Sequence, residues 1–290
     1  MKTGVVFPQT EIGSDLGAVI EYTQTAESLG YDHLLAYDHI LGANAGSRPG
    51  WAGSYRHTDT FYEPIVLFSF LSAITSTLEF VSGIIILPQR QATLVAKQAA
   101  TLDILSKGRL RLGIGIGWNQ VEYEALGENF HNRGKRSEEQ IDMMRQLWTN
   151  ELVTYQGKWH KITDAGINPL PIQRPIPVWF GGTSEAVIKR LARIGDGWFP
   201  QGFGPDDKGK RIIERLRSYI VENGRNILDV GIEPRISINK GSPDDWLKEL
   251  IAWKDLGATH ISVNTMGAGF KSVEDHVAAI RTFKEVSKGI

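Results

Sequence analysis

The chain has 290 residues, of which 41% are hydrophobic and 22% are charged, a composition typical of a folded globular protein. Its formal net charge of −1 excludes a strongly basic surface, so we expect no binding to nucleic acid or to an anionic membrane. The absence of cysteine excludes disulfides, thiolate metal sites and a cysteine nucleophile, and it suits a reducing cytoplasm.

Neither export nor membrane insertion is predicted from the sequence. The opening, MKTGVVFPQTEIGSDLG, lacks the apolar core of a signal peptide. No apolar run approaches the roughly 20 residues that are needed to cross a bilayer. We therefore expect a cytoplasmic protein.

In its first half the chain alternates short apolar runs with longer amphipathic ones. The run GVVF at 4–7 predicts a strand, and 14–30 predicts a helix with Ser14 as its N-cap and Gly30 as its stop. The following pattern predicts a helix that begins after Pro64 and one at 92–106, with strands at 33–37, 80–87 and 109–116. The run at 80–87 is almost wholly apolar, which indicates a strand buried on both faces.

The second half of the chain continues the alternation. It predicts helices at 133–149, 184–194, 206–223, 243–256 and 272–287, and strands at 177–180, 196–199, 230–238 and 260–264. Strands that alternate with helices imply a parallel sheet with right-handed crossovers. About eight such units in one domain spanning 1–290 favour an α/β fold, a closed (β/α)8 TIM barrel, over an open doubly wound sheet.

Two segments depart from the regular alternation. The loop at 41–61 carries Trp51, Tyr55, Arg56 and His57, and loops of this length usually serve as lids or binding loops. The segment 150–176 follows the fourth strand and its helix, and the dipeptide Gln156–Gly157 predicts a small hairpin outside the barrel. Arg56 is a candidate contact for an acidic substrate or a cofactor tail, or simply a solvated loop charge.

The strand at 109–116 ends in alternating glycines, Gly113, Gly115 and Gly117, followed by Trp118. The dinucleotide fingerprint G-x-G-x-x-G fails because Trp118 occupies the third glycine position, and the P-loop fails because no GK[ST] follows. In a barrel the carboxyl end of a strand faces the active site. The glycines therefore allow either a flat or phosphorylated ligand against the backbone, or tight packing within the barrel.

A second glycine-rich strand end precedes the helix at 184–194. Gly181 and Gly182 are followed by Thr183 and Ser184, so exposed amides, two hydroxyls and a positive helix end would form a pocket for a phosphate. The alternative is an ordinary N-cap. Two such ends on adjacent strands favour a phosphate-bearing cofactor more strongly than either end does alone.

A third signal is the pair Asp38 and His39 at the end of the second strand. An aspartate beside a histidine at this position suits acid–base catalysis or orientation of a ring ligand. The alternative is a histidine satisfied by a loop carbonyl. The seven histidines are scattered without ligand spacing, so no metal site is predicted.

Long stretches of the chain resemble one known family. The run PIVLFSFLSAITSTLEFVSGIIILPQRQATLVAKQAATLDILSKGRLRLGIGIGWNQVEYEALG is similar to the signature of the luciferase-like monooxygenase superfamily. NRGKRSEEQIDMMRQLW and PLPIQRPIPVWFGGTSEAVIKRLARIGDGW extend the likeness, which is closer still to the branch of probable F₄₂₀-dependent oxidoreductases. The resemblance implies a (β/α)8 barrel with an insertion after the fourth strand.

The resemblance also implies a redox cofactor with a tricyclic ring and a phosphate tail, either the deazaflavin F₄₂₀ or FMN. Matched positions assign Asp38 and His39 to the flanks of the ring and Gly83–Ile84 to a non-proline cis peptide behind it. The same matching assigns two sets of residues to the cofactor tail and its phosphate. The first set is Gly115, Ile116, Gly117 and Trp118, and the second is Gly181, Gly182, Thr183 and Ser184. One departure is Trp118, because F₄₂₀-dependent sugar-phosphate dehydrogenases have a proton-donating glutamate there.

The function that the resemblance implies is hydride transfer between F₄₂₀ and a small organic substrate, with His39 as acid or base and Asp38 orienting it. An FMN-dependent monooxygenase that uses O2 and flavin from a partner reductase is one alternative. A non-catalytic cofactor-binding barrel is another. A barrel aldolase or isomerase would want a lysine or paired carboxylates at strand ends, which the sequence does not offer convincingly. A homodimer is expected from the same likeness.

Overall fold

Parallel strands close into a barrel in the computed structural model, which describes every residue from Met1 to Ile290. Eight strand positions, which we call staves, make up the barrel. The first four are β1 (Lys2–Val6), β2 (His33–Ala36), β3 (Glu79–Ser82) with its short continuation β4 (Ile85–Ile86), and β5 (Leu110–Gly115). An antiparallel hairpin, β6 (Val153–Gln156) and β7 (Lys161–Ala165), lies outside the barrel. The remaining staves are β8 (Val178–Gly181), β9 (Gly197–Phe199), β10 (Gly231–Ile232) with β11 (Arg235–Ser237), and β12 (His260–Asn264).

The strand order is β10-β9-β8-β5-β3-β2-β1-β12-β11, and every pair in it is parallel. β10 pairs with β9 and β11 pairs with β12, so the two short strands are the halves of one stave that closes the barrel. Pro234 lies between them and has no N–H to donate, which interrupts the ladder. The eight staves confirm the predicted (β/α)8 TIM barrel.

Helices cover the outside of the barrel. They are α1 (Leu16–Ser28), α2 (Pro64–Ala73), α3 (Ala92–Leu105), α4 (Gln120–Ala125), α5 (Arg133–Thr149), α6 (Glu185–Ile194), α7 (Asp207–Glu222), α8 (Pro243–Asp255) and α9 (Val273–Val286). Their apolar faces pack on the strands around fully buried side chains that include Trp148, Trp198 and Trp253. None of these helices combines the length and hydropathy required to cross a bilayer.

Three local predictions were wrong. The first helix is capped by Asp15, whose side chain accepts a hydrogen bond from the Gly17 amide at 2.8 Å, and not by Ser14. The run at 80–87 is two short strands, and between them lies the Gly83–Ile84 peptide, which is cis as the family resemblance implied. The run at 230–238 is likewise divided, at Pro234.

The inserted hairpin is anchored to the barrel by one carboxylate. Glu139 on α5 accepts hydrogen bonds from the backbone amides of Lys158, Trp159 and His160, each at 2.8 Å. The connection between the strands spans 157–160 and is closed by a bond from the Gly157 amide to the His160 carbonyl. It is therefore longer than the two-residue turn predicted at Gln156–Gly157.

Charged side chains fill the middle of the barrel. Glu233 accepts from Arg111 Nη1 at 2.5 Å and from Ser262 Oγ at 2.5 Å, and it lies 2.8 Å from His33 Nε2. Arg111 also pairs with Glu79 at 3.0 Å. Burial raises the pKa of the Glu233 carboxyl, but Arg111 and His33 outweigh burial and hold that pKa well below its usual range. The Glu233 carboxyl is therefore ionised, and Arg111 balances its charge.

His260 on β12 makes stability sensitive to acid. Burial, together with repulsion from Arg111, lowers the pKa of His260 to about 3. The unfolded chain takes up this proton near pH 6.5, so it binds more protons than the folded chain between about pH 6.5 and pH 3. We therefore expect folding stability to fall on acidification through this window, by at most about 1.4 kcal/mol per pH unit from this group.

The contribution of His260 is measured by urea unfolding between about pH 7 and pH 4. The His260→Asn variant should lose less stability over this range than the wild type, because its side chain cannot take up a proton. The buried acidic groups contribute equally to both proteins and cancel in the comparison. Identical pH slopes for the two proteins would contradict the assignment.

Candidate active site

A cavity of about 590 Å³ opens at the carboxyl ends of the barrel strands. This volume lies within the roughly 300 to 1,000 Å³ typical of pockets for small molecules and cofactors. The residues that the sequence analysis assigned to catalysis or to cofactor binding all line it: Asp38, His39, Gly83, Ile84, Gly115, Ile116, Gly117, Trp118, Gly181, Gly182, Thr183 and Ser184. The barrel thus brings these residues together around one space.

The glycines of β5 and β8 accommodate a neighbouring side chain as well as the cavity. A β-carbon at Gly115 would lie 2.3 Å from Ile84 Cδ1, and one at Gly181 would lie 2.9 Å from Ile84 Cγ2. Gly113 faces backbone, since its β-carbon would lie 1.8 Å from the Ser82 carbonyl oxygen. Packing against the end of β3 and against Ile84 therefore explains these three glycines, while Gly115 and Gly181 also border the open cavity.

Trp118 stands at the mouth of the cavity, where 43% of it is exposed. It follows Gly117, whose φ of +65° is a left-handed conformation that favours glycine. Its ring centroid lies 5.8 Å from that of Trp51 in the 41–61 loop and 5.8 Å from that of His39. Trp118 therefore connects the loop to the histidine.

The amino terminus of α6 offers unpaired donors to the cavity. Ser184 is the N-cap residue, yet its side chain makes no capping hydrogen bond, and the Thr183 hydroxyl also has no protein partner. Gly182 has φ +103°, and its carbonyl accepts from Trp198 Nε1 at 2.8 Å, which holds the turn in place. The free hydroxyls and first-turn amides at the positive end of a helix suit an anion such as a phosphate.

Asp38 is fully engaged by an ion pair. Its carboxylate accepts from Arg90 Nη1 at 2.6 Å and Nη2 at 2.9 Å, and from the Ile86 amide at 3.0 Å. This two-pronged geometry is the strong form of an arginine–carboxylate contact. Asp38 makes no hydrogen bond to His39, so the expectation that it orients the histidine was wrong. It instead holds Arg90 and the β4 segment in place.

His39 is oriented by Glu122 in the first turn of α4. Its Nδ1 lies 2.9 Å from Glu122 Oε1, which also accepts from the Ile40 amide at 3.1 Å, while Gln89 donates to Oε2 at 3.0 Å. Burial raises the pKa of Glu122, but the bonds from His39 and Gln89 outweigh it and lower that pKa below the ordinary value. An ionised Glu122 requires a proton on His39 Nδ1.

The other ring nitrogen of His39, Nε2, has no hydrogen-bond partner in the protein, and the His39 side chain borders both the main cavity and a smaller space beneath the 41–61 loop. Aromatic rings hold the imidazole in position, with centroids at 4.7 Å for Phe61, 4.8 Å for Tyr55 and 5.8 Å for Trp118. The arrangement suits an acid–base group, because it combines a fixed tautomer, a buried carboxylate at Nδ1 and a second ring nitrogen without a protein partner.

The 41–61 loop contributes unequally to the site. Tyr55 lines the main cavity, and a β-carbon at Gly53 would collide with the Trp118 ring. Arg56 and His57 do not reach this cavity and instead line a separate space of about 320 Å³. Of the loop side chains considered in the sequence, Trp51 and Tyr55 therefore approach the site and Arg56 does not.

Four further residues belong to the site but were not predicted from the sequence: Glu122, Arg90, Tyr37 and Arg235. Glu122 lies three residues after the N-cap Asn119, so in the sequence it is an ordinary acidic residue of a first helical turn. Arg235 did leave a signal, because the predicted strand at 230–238 carries two charged residues, Glu233 and Arg235, between its apolar positions. Arg90 and Tyr37 give no local pattern that separates them from structural residues.

Residues 1–260 match the family model described as luciferase-like monooxygenase. The chain belongs to the luciferase-like monooxygenase family. An uncharacterized protein of Mycobacterium tuberculosis is 30% identical over 289 residues, covering 96% of this chain and 97% of the relative. The FMNH2-dependent dimethylsulfone monooxygenase of Pseudomonas fluorescens is 31% identical over 206 residues, covering 69% of this chain and 52% of the relative.

Solved structures share the fold of this luciferase-like protein. Monooxygenase RslO1 from Streptomyces bottropensis superposes with a TM-score of 0.82 at 18% identity, covering 99% of this chain and 98% of that one. An F₄₂₀-dependent secondary alcohol dehydrogenase in complex with an F₄₂₀-acetone adduct gives 0.80 at 17% identity, covering 98% and 97%. At these identities the likeness establishes the barrel alone.

Proposed function

We propose that this luciferase-like protein is an oxidoreductase that transfers a hydride between F₄₂₀ and a small organic substrate. The observation that carries the proposal is His39, whose Nδ1 is fixed by ionised Glu122 while Nε2 has no protein partner and the side chain lines the cavity. Removing or adding a hydride at an oxygen- or nitrogen-bearing carbon requires a proton to move as well. A histidine open to the cavity on one side can take or give that proton.

The cavity has the features that a tricyclic cofactor with a phosphate tail requires. Its volume of about 590 Å³ is sufficient for such a molecule, and the free donors of Gly182, Thr183 and Ser184 suit the phosphate. The segment Gly83–Ile84 would support the ring from one side, as the family resemblance implies. When bound, F₄₂₀ supplies or accepts the hydride.

The chain's own residues would orient the substrate, exchange a proton with it and exclude water from the cavity. His39 holds or releases a proton at Nε2, and Glu122 stabilises the imidazolium that forms when Nε2 takes up a proton. The Asp38–Arg90 pair keeps β4 rigid behind the site. We propose that the 41–61 loop, with Trp51 and Tyr55, acts as a lid that excludes water.

An FMN-dependent monooxygenase is the second candidate. It is favoured by the Pseudomonas fluorescens relative at 31% identity, whose name records FMNH2 dependence. Such an enzyme would take reduced flavin from a reductase and use O2. The same cavity and the same donors at α6 would hold FMN, so the cofactor decides between the two chemistries.

Fluorescence titration of the purified protein with F₄₂₀ and with FMN tests the proposal. We expect micromolar binding of F₄₂₀, weakened about tenfold when Thr183→Val and Ser184→Ala are combined, because two donors to the phosphate are lost. Ser218→Ala is the matched control, since that exposed hydroxyl on α7 bonds only to the Glu214 carbonyl. Binding of FMN alone would overturn the F₄₂₀ assignment, and a protein that binds either cofactor but shows no turnover would be a carrier.

A further inference from the structure

Arg235 is a charged group of the cavity that has no counter-charge. Three carboxylates line the same space, and each is engaged elsewhere: Asp38 by Arg90, Glu233 by Arg111, and Glu11 by the Gly267 amide at 2.7 Å and by His276 Nε2 at 3.3 Å. No carboxylate lies within 4.0 Å of the Arg235 guanidinium. A half-buried cation without a partner invites an anionic ligand.

Two tyrosines direct further donors to the same place. Arg235 Nη1 donates to the Tyr37 hydroxyl oxygen at 2.5 Å, so the proton of that hydroxyl is free for another acceptor, and none lies within the protein. The Tyr55 hydroxyl makes no hydrogen bond within the protein, and Tyr55 lines the same cavity as Arg235. Burial raises the pKa of both tyrosines, which therefore remain donors at neutral pH.

The position of these donors separates them from the phosphate pocket. Arg235 extends from the seventh stave towards Tyr37 at the end of the second, whereas the free donors of α6 follow the fifth. The Tyr55 ring lies 4.8 Å from that of His39, so at least one of the three side chains is next to the acid–base group. The cavity therefore has two places that demand an acceptor, and the second lies beside the group that would react.

We propose that Arg235, Tyr37 and Tyr55 bind the carboxylate of the organic substrate, so that the substrate class is small carboxylic acids. This inference rests on the proposed function, because it assigns the reacting molecule to the His39 side of the cavity. A carboxylate accepts the planar guanidinium fork and the two phenolic donors together, and charge-assisted bonds of this kind are the strong ones. The aromatic rings around His39 provide apolar surface for the rest of the molecule.

The test uses benzoate and benzamide as a matched pair of probes, one charged and one neutral. Quenching of tryptophan fluorescence or calorimetry gives the affinity of each for the folded protein. We expect benzoate to bind at least about tenfold more tightly than benzamide. Arg235→Gln should abolish this preference by weakening benzoate alone, and Arg235→Lys should retain part of it, since the charge remains and the fork is lost.

Arg56→Gln is the control, because Arg56 is an exposed arginine of the 41–61 loop that does not line the main cavity. It should leave the benzoate preference unchanged. Circular dichroism verifies that each variant is folded. If Arg235→Gln does not fold, Arg235→Lys serves instead, and its affinity for benzoate should be several-fold weaker than that of the wild type. Equal affinity for benzoate and benzamide in the wild type, or an undiminished preference in a folded Arg235 variant, overturns the inference.

Cofactor titrations of the same variants separate this inference from the proposed function. Arg235→Gln should bind F₄₂₀ or FMN as the wild type does. If it loses cofactor affinity and keeps the benzoate preference, Arg235 serves the cofactor and the inference is wrong. If the wild type binds neither cofactor but prefers benzoate, the proposed function fails while the carboxylate site stands.

Discussion

Replacing His39 by asparagine will lower the rate of hydride transfer by about 10² to 10⁴, while cofactor affinity changes by less than about threefold. Asparagine retains an N–H donor of similar size near Glu122, but it has no group that takes up a proton. The donors at Thr183 and Ser184 that would hold the phosphate remain intact. The measurement is the change in F₄₂₀ absorbance with a carboxylic-acid substrate, together with fluorescence titration of the cofactor.

Glu122→Gln distinguishes an acid–base histidine from a structural one. Glutamine carries no negative charge to stabilise an imidazolium at His39, so the acid limb of the pH–rate profile should move to lower pH. A role limited to packing would lower the unfolding temperature and leave the profile in place. Full activity in the His39→Asn variant would remove His39 from the mechanism and with it the observation on which the proposed function depends.

The barrel could be predicted because its signals are local. Apolar periodicity marks each strand and helix, and the alternation of the two types leads to a parallel sheet. The division of two strand runs did not follow from the apolar pattern. The cis peptide at Gly83–Ile84 was implied only by the family resemblance, and around Pro234 the apolar residues at 230, 232, 236 and 238 keep the spacing of a single strand. The N-cap was misplaced by one residue, since Ser14 and Asp15 are both good caps and only geometry chooses Asp15.

The candidate site could be predicted in its backbone features and less well in its side-chain pairs. Strand ends of one barrel share a face, so Asp38, Gly115 and Gly181 were expected to meet, and all line the cavity. Which charge pairs with which is a different question, because Arg90 reaches Asp38 across 52 residues and Glu122 reaches His39 across 83. A neighbour in sequence, Asp38 beside His39, was a poor guide to a neighbour in space.

Glycines at two strand ends both allow close packing and leave the cavity open. The sequence left packing and ligand contact as alternatives, and the structure has both at Gly115 and Gly181, which accept the Ile84 side chain and still border the cavity. No sequence pattern identifies the side chain that fills such a space. Ile84 is brought there by the segment between β3 and β4, whose path depends on the bond from the Ile86 amide to Asp38.

A substitution among the charged residues inside the barrel should have a large effect on the free energy of unfolding. Glu233→Gln should destabilise the fold by about 3 kcal/mol or more, because it leaves Arg111, which is 2% exposed, with only the partly exposed Glu79 as a counter-charge. Domains of this kind are stable by only about 5 to 15 kcal/mol, so a large part of the total would be lost. Guanidinium unfolding followed by tryptophan fluorescence measures the change.

The double variant Arg111→Met/Glu233→Met decides whether charge pairing is the cause. Two apolar side chains of similar length need no counter-charge, so the double variant should be more stable than Glu233→Gln and should recover most of the loss. Packing is conserved at Arg111, since methionine can still cover the Trp179 ring over which the guanidinium lies at 4.2 Å. A double variant as unstable as the single one would mean that Glu233 acts through His33 and Ser262 instead, because those contacts are lost in both proteins.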